Sequence, residues 1–206
     1  MKKVIALLLA FMMLGTVSYA KNRPKENYDA YTKTYSKILK TMHKELTKAP
    51  KTGDVTIDFL HELSAHHKGT LAMVESELAH GDNPIIWQFA RGIKKTHFKR
   101  KDEVDLLIKQ LKKEKMVDKE KEAQYLTKYQ ILVEELIHEM SQADCKENVD
   151  KAYVLQMIAS HQVTLKMVEH IQQYTTNITV QDICSRMVEK QTKEIKQMEK
   201  FAREIR

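Results

Sequence analysis

Three histidines and one glutamine have the spacing of side chains that share one level of a helical core. His67 and His97 each lie 15 residues from position 82, where a Gly-Asp pair predicts a tight turn between two helices. In an antiparallel helical hairpin, residues equidistant from the turn lie at the same height. His161 and Gln191 are likewise 15 residues from position 176. The spacing therefore predicts two level pairs of polar side chains.

The apolar pattern around these positions directs the polar side chains inward. Each lies at the centre of a stripe of aliphatic residues or methionines that recurs with the period of a helix. A buried polar side chain needs a partner, which is either a hydrogen bond or a metal ion. Imidazole and thioether groups suit Cu(I), Cu(II) or Zn(II). Three imidazoles in one layer, with Met157 one turn before His161, favour a metal site formed by His67, His97, His161 and Met157.

A second candidate face lies close to 100° away on the same helix as His67. It carries His66, Met73, Glu77 and His80 at spacings of three, four and seven residues, and Met167 repeats part of it. These spacings put the side chains on one side of a helix. The face is either a second metal site or a partly exposed polar edge, and the sequence leaves both open.

The elements that position these residues repeat along the chain. A shift of 94 residues aligns Thr70–Glu75 with Thr164–Glu169, and aligns His67 with His161. One constant offset over most of the chain indicates a tandem duplication. We expect three helices in each unit, over residues 26–48, 56–80 and 84–115, and then over 119–142, 149–174 and 178–205.

The composition agrees with an all-α fold. Glycine and proline are scarce, at 5 and 3 of 206 residues, and helix-forming side chains are common. The formal net charge is +7, but lysine and glutamate are mixed along the predicted helices. This distribution indicates a solvated surface, so we expect no nucleic-acid partner.

The N-terminus has the pattern of a secretory signal peptide. Two lysines precede an apolar run, and small residues at Ser18 and Ala20 fit a cleavage site. We therefore predict a signal peptide over 1–20, a first three-helix repeat over 21–115 and a second over 116–206. The mature protein is expected in the periplasm, with no membrane span after cleavage. The two cysteines, Cys145 and Cys184, should lie at opposite ends of a hairpin and form no disulfide.

Two stretches resemble a bacterial secreted family, domain of unknown function 305. The first is His66-His67 with Met73 downstream, and the second is a helix containing Gln191, Glu194 and Met198. The resemblance implies a ferritin-like bundle and a periplasmic metal-binding protein, since some relatives are linked to copper binding and copper tolerance. This chain departs from the pattern in both repeats: His97 replaces a glutamine, and Ser160 replaces the first histidine.

Three functions compete on the sequence alone. The first is a periplasmic binding protein, not an enzyme, that buffers or transfers copper, with zinc as the other candidate ion. The second is a metal-free helical module for interaction or envelope stress. The third is a di-iron oxidase, for which Glu77/His80 and Glu135/His138 have the Glu-x-x-His spacing but do not coincide under the 94-residue shift. A partner protein for metal transfer and a homodimer are left open.

Overall fold

The protein is an all-α bundle. The computed structural model describes residues 24–205, so the predicted signal peptide lies outside the described residues. Six helices make up most of the described chain and no strand occurs within it; they are α1 (Pro24–Thr47), α2 (Val55–His80), α3 (Pro84–Leu111), α4 (Lys119–Gln142), α5 (Val149–Gln172) and α6 (Ile178–Glu204). None of these six described helices combines the length and the apolar character that a membrane crossing requires.

Short polar side chains start the helices. The Asp54 carboxylate accepts hydrogen bonds from the first backbone N–H groups of α2, and the Asn83 amide oxygen does the same for α3. Asn148 and Asn177 cap α5 and α6. Each cap satisfies backbone donors that have no partner inside the helix. The structure confirms Asn83 as the cap and the following proline as the first residue of α3.

The end of α3 differs from the expected position. The helix stops at Leu111, four residues before the expected end at 115. The chain then docks against the loop that precedes α2. The backbone N–H of Met116 donates to Asp54 at 2.9 Å, and that of Asp118 donates to the carbonyl of Gly53 at 2.8 Å. The backbone N–H groups of residues 112–114 still donate to carbonyls in the last turn of α3, and the tertiary hydrogen bonds begin at Met116.

Helices α2 and α5 form the centre of the bundle. Helix α2 packs against α1 and α3, and α5 packs against α4 and α6. The two central helices also contact each other in antiparallel orientation. Thr56 at the start of α2 meets Thr175 beyond the end of α5 at 2.9 Å, and the Nε2 atom of His66 meets the hydroxyl of Ser160 at 3.2 Å near the middle. Each central helix is therefore covered on several sides.

Contacts between the two halves are reciprocal at the 94-residue offset. The Tyr31 hydroxyl donates to Gln156 on α5, and the Tyr125 hydroxyl donates to Glu62 on α2, each at 2.5 Å. Tyr31 and Tyr125 are 94 residues apart, as are Glu62 and Gln156. This reciprocity is compatible with the predicted duplication, and it fixes each first helix on the central helix of the other half.

The backbone offers a test of this correspondence. Gly53 has a φ of 88°, and Glu147, which lies 94 residues later, has a φ of 69°. A side chain in this left-handed region costs about 1 kcal/mol or more relative to glycine. Gly53→Ala should therefore lower the free energy of unfolding by at least about 1 kcal/mol, since its Cβ would also lie 2.9 Å from Val117. Glu147→Gly should be neutral or stabilising. Urea unfolding measures both.

Gly92 provides the matched control for these substitutions. It lies in α3 with nothing within 4 Å of an added Cβ, so Gly92→Ala should stabilise the protein by about 1 kcal/mol through helix propensity. A neutral Gly53→Ala, or a Glu147→Gly variant that loses as much stability as Gly53→Ala, would contradict the assignment of backbone strain.

Candidate metal centre

Three imidazole rings meet in the centre of the bundle. His67 on α2 lies with its ring centroid 5.3 Å from that of His97 on α3, and the His97 centroid lies 6.0 Å from that of His161 on α5. All three side chains are essentially inaccessible to solvent. The predicted level of His67 with His97 is therefore present. The structure also brings His161 of the second half into the same cluster. Gln191 is buried in the core, and its amide group makes no hydrogen bond with these rings.

Most ring nitrogens of this cluster have no hydrogen-bond partner. Both nitrogens of His67, the Nε2 atom of His97 and the Nδ1 atom of His161 are buried and unpartnered, as are both amide atoms of Gln191. The partnered nitrogens are Nδ1 of His97, which lies 3.2 Å from the carbonyl of Ile93, and Nε2 of His161. Leaving a buried polar atom without a partner costs on the order of 1–3 kcal/mol. The cluster therefore carries ligand atoms that the protein itself does not satisfy.

The distances between the imidazole rings are similar to those of histidines that bind one metal ion together. Two imidazoles on one ion at Zn–N or Cu–N distances of about 2 Å have ring centroids roughly 5 Å apart when the geometry is tetrahedral. The observed separations of 5.3 and 6.0 Å are close to this value. Within residues 24–205, however, no three His, Cys, Asp or Glu side chains are arranged so that they could hold an ion. The donor set fits a soft or borderline metal, and closing the ligands around it requires rotation of the rings.

Burial keeps His66, His67 and His97 neutral. Desolvation lowers the pKa of His66 to about 3, and with neighbouring positive groups it holds the pKa of His67 and His97 well below the usual range. The neutral ring is the form that binds metal ions. At neutral pH these imidazoles thus need no deprotonation before ligation.

Glu194 on α6 completes the polar layer, and the sequence patterns did not identify it as a ligand. Its Oε2 atom lies 3.1 Å from Nε2 of His161. Burial opposes ionisation of this carboxyl, but the hydrogen bond and charge of His161, with Lys190 and Arg100, bring its pKa below the usual value. A carboxylate that holds one nitrogen of a histidine orients the ring and leaves the other nitrogen for a metal. The one available signal was its match to the family helix.

The second candidate face does not form a single site. His66 and His80 are separated by 14 residues of α2, which corresponds to about 21 Å along the helix. The Nδ1 atom of His80 lies 2.8 Å from the carbonyl of Ser76, at the end of α2 and far from the imidazole cluster. The alternative of a partly exposed edge is wrong for His66, Met73 and Glu77, which are all buried. The face is buried because α5 covers it.

The three candidate methionines are all in the core. Met73 and Met157 are fully buried members of the hydrophobic cluster. Met167 lines a small cavity together with His66 and Glu62. Its thioether therefore lies beside an imidazole whose Nε2 atom approaches the hydroxyls of Ser160 and Thr164 at 3.2 and 2.9 Å, and whose Nδ1 atom is unpartnered.

The residues of the di-iron pattern do not converge. Glu77 is buried near the end of α2, where burial and the neighbouring Asp150 raise its pKa to about 9. Glu135 on α4 instead forms an ion pair with Lys166, and His138 is exposed. The two Glu-x-x-His pairs therefore share no pocket. Both cysteines are free, with Cys184 buried in α6 and Cys145 half-buried before α5.

The family assignment follows from a direct match to a family model. The model of the family described as Domain of unknown function (DUF305) matches residues 56–202. The chain belongs to this family. No curated protein and no solved structure matches the chain. The matched region contains all three imidazoles of the cluster and Glu194, but not the first helix.

The buried neutral histidines predict a characteristic pH dependence of stability. In the unfolded chain a histidine titrates near pH 6.5, so below that pH the unfolded state binds more protons than the folded state. Stability should therefore fall with decreasing pH by up to about 1.4 kcal/mol per pH unit for each such histidine. His97→Gln removes one of them. Below about pH 6 the wild type should lose stability faster than this variant, by about 1.4 kcal/mol per pH unit.

The difference between the two proteins is the diagnostic quantity. Burial raises the pKa of Glu62 to about 7 and that of Glu77 to about 9, so these carboxyls oppose the histidines by gaining stability as the pH falls. They are present in both proteins and cancel in the comparison. Urea unfolding in the presence of a chelator measures both curves, and parallel curves between pH 6 and 5 would show that His97 is protonated in the folded state.

Proposed function

We propose that this protein is a periplasmic metal-binding protein that buffers or transfers copper through the cluster of His67, His97 and His161. The observation that carries the proposal is the set of four buried imidazole nitrogens without a partner. A folded protein retains such atoms at a cost, and a ligand that satisfies them recovers it. Metal binding is the chemistry in which neutral imidazoles are used as donors.

The ligand set favours copper over zinc. Structural zinc sites are closed by four protein ligands in tetrahedral geometry. The further donors in the core include methionine thioethers, which are not among the usual protein ligands of zinc. Copper binds imidazole well, and Cu(I) also accepts thioether ligands such as those of Met73, Met157 and Met167 in the surrounding core. The copper ion is cargo in this proposal, and the polypeptide supplies the donors and their dry surroundings.

The remaining features support the proposed location and role. The predicted signal peptide supports a periplasmic protein, and the hydroxyls of Ser160 and Thr164 that contact His66 are buried in the core, away from any substrate. A binding role needs only ligands, while an oxidase would need the convergent carboxylates that α2 and α4 do not provide. The partner that receives or delivers the metal would be a protein with a similar soft ligand set.

The metal-free helical module is the second candidate, and one observation favours it. The Nε2 atoms of His66 and His161 both have protein hydrogen-bond partners, in Thr164 and Glu194. Histidines of this kind specify how helices pack without any ion. The two candidates differ in one measurable property, which is whether the purified protein binds copper with defined stoichiometry.

A Cu(I) competition titration tests the proposal. The mature protein should bind copper stoichiometrically, and His67→Gln or His97→Gln should weaken the affinity by at least about tenfold, since each removes a ligand. His138→Gln, at an exposed position on α4, is the matched control and should retain the affinity. Absence of copper binding, or equal affinity in all variants, would leave the histidines as packed structure in a metal-free module.

A further inference from the structure

The imidazole cluster is closed to solvent in the folded protein. His67, His97 and His161 are at most 1% exposed. An ion that reaches them must therefore pass between helices. The question is where the bundle has both space and donor atoms that lead from the surface to these rings.

One small cavity lies next to the cluster, and residues that carry donor groups border it. It has a volume of about 10 Å³, and Glu62, His66 and Met167 line it among apolar neighbours. This is about the space that one water molecule needs. Its accessible surface is apolar, so the carboxylate and the imidazole must turn toward the cavity before they can bind an ion there. The ring centroid of His66 lies 6.2 Å from that of His67, so the cavity borders the proposed metal cluster.

A surface pocket shares one lining residue, Tyr129, with this cavity. This outer pocket has a volume of about 510 Å³, and Lys51, Tyr129 and Glu134 contribute to its lining. Tyr129 lines both the outer pocket and the inner cavity. The tyrosine is nearly buried, and its hydroxyl has no hydrogen-bond partner. The hydroxyl is therefore not held in place by a hydrogen bond.

Lys51 lies over the ring of Tyr129. Its Nζ atom is 2.5 Å from Oε1 of Glu62 and 4.8 Å from the ring centre of Tyr129. The Lys51 side chain is 30% exposed, while that of Glu62 is 2% exposed. The Lys51 ammonium group thus forms an ion pair with the Glu62 carboxylate on the side that faces solvent. A flexible, partly exposed lysine can leave this position more easily than the buried carboxylate can.

The corresponding positions in the other half lack this chemistry. At an offset of 94 residues, Cys145 replaces Lys51, Gln156 replaces Glu62, and Ser160 replaces His66. The second half therefore has no ion pair and no imidazole at the equivalent place.

We propose that a metal cation reaches the imidazole cluster through the outer pocket, with the Lys51–Glu62 ion pair as the gate. The inference rests on the proposed copper function. When the Lys51 ammonium swings into solvent, the cation takes its place on the Glu62 carboxylate. It then passes to the Met167 thioether and the His66 imidazole, and from there to His67. No redox change or bond to carbon is involved, and the displaced positive charge balances the incoming one.

The rate of metal loading tests this route. Cu(I) delivered from a colorimetric chelator is mixed rapidly with the metal-free mature protein, and the transfer rate is followed by absorbance. Lys51→Arg keeps the charge and holds the Glu62 carboxylate through a planar two-pronged contact, so it should slow loading by about tenfold, with little change in equilibrium affinity. Glu62→Gln should slow loading by about tenfold. The fold tolerates this amide, because Gln156 already accepts a hydrogen bond from Tyr31 in the equivalent position.

Two further variants make the result decisive. Met167→Leu keeps the side-chain volume and removes the thioether, so it should slow loading even if Glu62→Gln folds poorly. Lys166→Arg, which makes the same change in an exposed Lys–Glu pair between α5 and α4, is the matched control and should leave the rate unchanged. Unchanged rates in Lys51→Arg, Glu62→Gln and Met167→Leu would overturn the route while an equilibrium titration still showed binding. Absence of equilibrium binding in the wild type would overturn the copper function itself, and the route with it.

Discussion

The structure depends on one constraint, which is that imidazoles must be kept dry in the centre of a helical bundle without enough partners. His67, His97 and His161 come from three helices, and covering them requires the two central helices to be enclosed by their neighbours. Desolvation fixes the protonation state of His67 and His97, and Glu194 holds one nitrogen of His161. The same dryness that costs stability also keeps these nitrogens available for the proposed metal ion.

The two halves of the chain pack in the same way but differ in the charge of the packed groups. The reciprocal contacts of Tyr31 with Gln156 and of Tyr125 with Glu62 hold the halves together. In one half the acceptor is a carboxylate paired with Lys51, and in the other it is a neutral amide. This difference preserves the geometry and concentrates the charge on one side. Because a few positions differ between the halves, the Tyr125–Glu62 contact borders a cavity and carries a charge, while the Tyr31–Gln156 contact is uncharged.

The sequence predicted features that depend on local geometry, and it missed those that depend on tertiary neighbours. Counting from the turn placed His67 level with His97 because the rise of a helix is regular. The predicted end of α3 was wrong because Asp54, which is far away in sequence, accepts a hydrogen bond from Met116 and holds the segment after α3 against another loop. The second face of α2 was interpreted as one site or an exposed edge because a helical wheel has no information on which helix covers it. Glu62 was missed for the same reason, although its partner Tyr125 repeats Tyr31.

X-ray absorption spectroscopy at the copper edge tests the central claim most directly, because it reports the donor atoms around the ion. Copper-loaded wild-type protein should show at least two imidazole nitrogens at about 2 Å, and the His97→Gln variant should show one fewer. A first shell of oxygen donors without imidazole scattering, the same in both proteins, would contradict the account and place the metal away from the buried histidines.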